Sequence, residues 1–113
     1  MPDRYNTTRQ HVKIAGKTLY VDIGCDKDGV PRSLFIDVAK TGEELRALLE
    51  FSAVMTSLAL QGGINLDTVI RAMRDTKFKP QGPVVGDDKV RFASSPLDYV
   101  GKHLEAHYTE VTS

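Results

Sequence analysis

Val12-Lys13-Ile14-Ala15-Gly16-Lys17-Thr18-Leu19-Tyr20-Val21-Asp22-Ile23 is the stretch that decides the fold. Val12 and Ile14 point one way, Gly16-Lys17 turns the chain, and Leu19, Val21 and Ile23 then share a face opposite Tyr20 and Asp22. A period of two is that of a half-buried strand. Asp26-Lys27-Asp28-Gly29 follows as a turn, because Asp tolerates and Gly supplies positive φ. It lacks the ligand spacing and closing Glu of a calcium loop. Leu34, Ile36 and Val38 alternate again, so residues 11–39 read as a three-stranded antiparallel meander with one apolar face. Residues 1–10 are polar and read as a flexible N-terminal segment, leaving 11–113 as a single domain.

Beyond residue 40 the period becomes helical. Thr41-Gly42-Glu43-Glu44 has the form of a capping box, with the Thr41 hydroxyl accepting from the third amide and Glu44 reaching back. Leu45, Leu48, Leu49, Ser52, Met55, Leu58 and Ala59 then recur at spacings of three and four, an amphipathic helix closed by Gly62-Gly63. Phe51, Val54 and Leu60 widen its apolar surface beyond one face, which fits either a subunit interface or a fully buried helix. Asn65 caps a second helix with Leu66, Val69, Ile70 and Met73 inside. Residues 77–91, rich in Pro and Gly, read as a long loop, and such loops in compact domains are usually functional. Ser95-Pro96-Leu97-Asp98 opens a third helix, with Ser95 as cap and Pro96 where its missing amide costs nothing. Leu97, Val100, Leu104 and Tyr108 line its inner side. The expected class is α+β, an antiparallel β-meander with two to three helices packed on one face, assembled as a homo-oligomer.

Charge and cysteine content narrow the function. Lys plus Arg and Asp plus Glu are 15 each, so no long-range field favours duplex nucleic acid. Zero net charge also gives little repulsion between copies. The single cysteine, Cys25, excludes an internal disulfide and a CxxC pair, and the chain reads as cytoplasmic. The N-terminus is no signal peptide, and Leu45–Leu60 is too short and mixed to span a membrane. No Ser-His-Asp order, Walker loop or dinucleotide fingerprint is present, so neither an enzyme nor a cofactor is expected. His103 and His107 have the spacing of a two-histidine metal clip, but no third ligand is evident in the sequence, and no metal is expected.

Phe78-Lys79-Pro80-Gln81-Gly82-Pro83-Val84, then Gly86, then Val90-Arg91-Phe92-Ala93-Ser94-Ser95-Pro96-Leu97-Asp98-Tyr99-Val100 resembles the C-terminal region of cobalamin-dependent ribonucleotide reductases, the TSCPD domain family. Gly29, Thr41-Gly42 and Leu60–Asn65 are also similar, so the likeness runs from about residue 11 to 105. The family's five-letter signature stands here as Ser94-Ser95-Pro96-Leu97-Asp98, without cysteine. The catalytic barrel and the C-terminal cysteine pair of the reductases have no counterpart in this sequence. The resemblance therefore implies a fold and a nucleotide-related setting, not reductase activity.

Arg71, Arg74, Lys77 and Lys79 outnumber Asp75, and Lys89, Arg91 and Lys102 follow around the Gly/Pro loop. Cations beside an aromatic suit a phosphate-bearing, base-bearing small molecule. The expected site joins the 78–91 loop to the third helix, near a subunit boundary. Phe78 stacks a base, Lys79, Lys89, Arg91 and Lys102 meet phosphates, Asp88 accepts from a ribose hydroxyl, and Gly82 and His103 complete the set. The expected function is non-catalytic capture or sequestration of a nucleotide-type small molecule. Some small phage proteins that sequester nucleotide immune signals resemble the chain in layout. The alternative is a stand-alone module, similar to the reductase C-terminal region, serving deoxynucleotide metabolism as an accessory.

Overall fold

The computed structural model describes residues 5–109. The elements run β1 (Asn6–Ile14), β2 (Lys17–Cys25), β3 (Pro31–Val38), α1 (Glu43–Gln61), α2 (Leu66–Met73), β4 (Gly82–Val85), β5 (Phe92–Ala93) and α3 (Pro96–Tyr108). One antiparallel sheet carries them in the order β3-β2-β1-β4-β5. The meander is as the alternation predicts: Val12 and Ile14 of β1, Leu19, Val21 and Ile23 of β2, and Leu34, Ile36 and Val38 of β3 are all buried. They form one core with Val69, Ile70, Tyr99, Val100 and Leu104 of the helices. Three helices thus cover one face of the sheet, and no helix among the described residues is long and apolar enough to cross a membrane.

Several boundaries differ from the sequence reading. Residues 6–10, expected to be flexible, pair with Val21–Cys25 as the first half of β1. Their side chains are mostly exposed, so no apolar alternation marks them as a strand. The β1–β2 turn is Ala15-Gly16, with φ of +50° and +83°, one residue earlier than expected. This is the geometry that matches strand twist in two-residue hairpins. The sheet has five strands because the Gly/Pro stretch supplies β4, which pairs with β1 at Lys13↔Val85 and Ile14↔Val84. Such a short, non-local strand leaves no local signal.

Two helix features also shift. Gly42 is the N-cap of α1, with no side-chain cap bond, so Thr41 does not close the expected box. The face of α1 turned to the core carries Leu49, Ala53 and Leu60. Leu48, Met55 and Leu58, read as inner positions, lie outside with Phe51 and Val54, each about half to two-thirds exposed. A fully buried α1 is excluded. Apolar residues surround this helix, so its hydrophobic pattern has no single phase to read. The caps of the other two helices are as expected: Asn65 accepts from the Asp67 amide and Ser95 from the Asp98 amide.

Candidate functional site

The Ser94–Asp98 stretch is a latch. Asp98 is fully buried and accepts from the Asp75 amide at 2.7 Å, the Ser94 amide at 2.9 Å and Lys102 Nζ at 3.0 Å. Asp75 has φ +67°, a left-handed backbone that its bond to Asp98 holds in place. Ser94 Oγ donates to the Thr76 carbonyl, and the Ser95 and Thr76 hydroxyls lie 2.6 Å apart. Burial pushes the Asp98 carboxyl up, but the Asp75 and Ser94 amides and Lys102 outweigh it and hold it below the usual carboxylate range. The latch fixes the start of α3 against the end of α2, and Lys102 Nζ donates in addition to the Phe92 carbonyl at 3.0 Å.

Around that fixed lysine lies a groove of about 720 Å³. Arg74, Lys89, Arg91 and Lys102 line it against two acids, Asp67 and Glu105, with Phe92 and Ala106 between them. The acids are already engaged: Arg71 pairs with Asp67, and Arg74 with Glu105 at 2.7 Å. Arg74 keeps a buried Nε without a hydrogen-bond partner, and Arg91 makes no ion pair among the described residues. Lys102 Nζ lies 5.6 Å from the Phe92 ring centre, and this ring is 53% exposed. The groove thus gathers four cations and one half-exposed ring against two acids.

In the loop after β4 Asp87 is buried, with no exposed side-chain surface. Gly86 places it there: φ is +109°, and a Cβ would stand 2.7 Å from the His11 carbonyl oxygen. Only glycine lets this loop press so closely on β1. The Lys89 amide donates to Asp87 Oδ1 at 2.9 Å, and the Tyr99 hydroxyl to Oδ2 at 2.7 Å. His103 Nδ1 lies 2.7 Å from Oδ2 and His107 Nε2 3.0 Å from Oδ1. Burial raises the Asp87 carboxyl, yet the Lys89 amide, His107, His103 and Tyr99 outweigh it and hold it well below the usual range. Burial pushes His103 down, against the pull of Asp87, which raises it. The same burial, helped by Asp87, pushes Tyr99 up and keeps it a phenol.

The structure splits the expected site. Lys89, Arg91 and Lys102 do converge. Phe78 does not join them; it packs, partly buried, against the core, and Phe92 supplies the ring in the groove instead. Lys79 lines a separate depression of about 460 Å³ with Pro80, Gln81, Ala15 and Leu45. Gly82 is buried in β4 against Ala15. His103 is buried on Asp87, and Asp88 is 82% exposed beside His107 at 3.8 Å. Arg74 was read in the charge cluster but not placed in the site; Phe92, Asp87 and Tyr99 escaped the sequence reading. Phe92 stands next to Arg91 and could have been found by the charge cluster; Asp87 and Tyr99 could not, because only the fold brings them to the histidines. Cys25 sits at the end of β2, partly buried, its thiol pushed up by burial.

Comparison with known proteins bears on this geometry. Residues 1–108 match the family model of the TSCPD domain. A vitamin B12-dependent ribonucleotide reductase of Bradyrhizobium diazoefficiens is 39% identical over 96% of this chain and 9% of its own length. Those of Agrobacterium fabrum and Rhodopirellula baltica are 36% and 30% identical over 96% and 92% of this chain, and 8% and 10% of their own lengths. The chain therefore spans about a tenth of these relatives. No solved structure matches.

Proposed function

The chain belongs to the TSCPD domain family, and on that premise we propose that it is a non-catalytic domain that captures a nucleotide-type small molecule and serves ribonucleotide reduction as an accessory. The convergence of Arg74, Lys89, Arg91 and Lys102 on one groove with Phe92 carries the binding half. The relatives' shared name supports the setting. The groove's acids are held in ion pairs, which suits holding phosphates rather than moving protons. Base stacking contributes about 1–3 kcal/mol and each charge-assisted bond about 1.5–3 kcal/mol. Association costs about 4 kcal/mol or more, so micromolar binding, about −8.2 kcal/mol, needs the stack and all four cations acting together.

Self-association belongs to the same proposal. Leu48, Phe51, Met55 and Leu58 form a stripe at spacings of three, four and three on the outer side of α1. That is the spacing of a helix–helix seam, and a second copy's α1 matches it by symmetry.

Calorimetric titration with ribo- and deoxynucleoside di- and triphosphates, cyclic nucleotides and tripolyphosphate tests the binding half. Micromolar binding that prefers nucleotides to tripolyphosphate, and falls about tenfold in Arg91→Ala and Lys102→Ala, is the expected result. Affinity unchanged in both variants overturns the groove. Adding the chain to a B12-dependent reductase assay tests the accessory half; tight nucleotide binding with no effect on turnover favours sequestration of free nucleotide instead.

A further inference from the structure

We propose that Asp87, His103 and His107, with Asp88 at the mouth, form a binding site for one divalent transition-metal ion. His103 and His107 stand one turn apart on α3 with ring centres 4.4 Å from each other. Asp87 meets them from the loop after β4. One donor atom from each of the three lies within 4.8 Å of the other two. The carboxylate–imidazole separations, 2.7 and 3.0 Å to opposite oxygens of Asp87, are hydrogen-bond lengths; tetrahedral ligands of an ion bound at about 2.0–2.1 Å stand roughly 3.3 Å apart, so an ion enters with side-chain shifts of about half an ångström.

Charge makes the same point. Buried carboxylates are ordinarily paired with a full positive charge or with a metal. Asp87 has neither Lys nor Arg among its described ion-pair partners; it has two imidazoles, amide dipoles and a phenol. Asp88, exposed and with Oδ1 at 3.8 Å from His107 Nε2, brings a second carboxylate to the open side. Two imidazoles and two carboxylates suit Zn²⁺, Fe²⁺, Co²⁺ or Mn²⁺ better than Mg²⁺. On binding, each imidazole coordinates through the nitrogen now facing Asp87 and carries its proton on the far nitrogen. Asp87 keeps its amide bonds, and Tyr99, 2.7 Å from Oδ2, orients the carboxylate from outside the coordination sphere. The site is separate from the cationic groove, and its test does not depend on what the groove takes.

The experiment uses the full chain after chelator treatment, titrated with Zn²⁺ by calorimetry and with Co²⁺ by visible absorption. One equivalent per chain is expected, with a d–d spectrum of nitrogen- and oxygen-ligated cobalt and little competition from excess Mg²⁺. His107→Gln, a partly exposed position, and Asp88→Asn should fold as wild type by circular dichroism. His107→Gln should weaken binding at least about tenfold. His11→Gln serves as control, since His11 stacks on Tyr20 on β1, and should bind as wild type. Failure to bind either ion at about 100 μM, which is weaker than about −5.5 kcal/mol, overturns the proposal. So does equal binding by wild type and folded His107→Gln, or a loss in His11→Gln matching that in His107→Gln.

Discussion

Asp98→Ala should remove a large part of the domain's stability. Three donors converge on this buried carboxylate: the Asp75 amide at 2.7 Å, the Ser94 amide at 2.9 Å and Lys102 Nζ at 3.0 Å. A hydrogen bond to a charged acceptor contributes about 1.5–3 kcal/mol. The Lys102 bond counts for less, because that side chain is 27% exposed and rehydrates when freed. The two amides are stranded, and Asp75 loses what holds its left-handed backbone. The expected cost is about 3–5 kcal/mol, the range for removing one partner of a buried charge pair. Asp98→Asn keeps one acceptor and turns an amide group toward the remaining donors, for about 2–3 kcal/mol. Urea denaturation reads both as a lower midpoint with an unchanged slope. The pH dependence has a definite sign. The folded carboxyl is held below its ordinary value, so its contribution is complete above the unfolded value near about 4 and is lost as pH falls from there toward the folded one. Asn does not titrate, so the gap between wild type and Asp98→Asn should narrow on acidification. A cost under about 1 kcal/mol for the alanine variant, or a gap constant with pH, refutes the latch.

Phe51→Glu should convert an associated chain to monomer at micromolar concentration by light scattering, with circular dichroism unchanged, because Phe51 is 63% exposed and outside the core. Gly86→Ala forces a Cβ to 2.7 Å from the His11 carbonyl at a φ of +109°; thermal denaturation should show a loss of at least about 1–3 kcal/mol. Tyr99→Phe takes one donor from the buried Asp87 carboxylate and should cost about 1–3 kcal/mol by urea titration, with the helical signal retained.

The meander was legible because its two faces differ in chemistry, and the residues that alternate are those the helices bury. Asn65 and Ser95 were legible for a local reason: each side chain satisfies an amide two or three residues on. The misreadings share a cause. The inner face of α1 is chosen by β3, not by its own composition, so Leu48 and Leu58 went inside on paper and outside in the molecule. Phe78 beside lysines suggested a stacking ring, yet its place near the core follows from a backbone bond of its amide to Ser94. Three of the expected site residues, Lys89, Arg91 and Lys102, do share a groove, since a charge cluster next to a helix start is a sequence-level fact. Asp87 differs from Asp88 in nothing but its depth, and depth belongs to the fold.

The register between β1 and β4 spans only Lys13↔Val85 and Ile14↔Val84. On one side of it lie the meander and α1; on the other, every residue of the groove, all drawn from positions 67–109. A domain joined this way need not melt as one unit, since cooperative segments open at free energies below that of global unfolding. The C-terminal part also shares one core with the meander, so lifting it while the long hairpins stay paired exposes that core and costs far more than local fraying. Amide protons of α2 and α3 would then exchange ahead of those in β1 and β2, and any ion or anion held on that side would slow their exchange in proportion to its own occupancy.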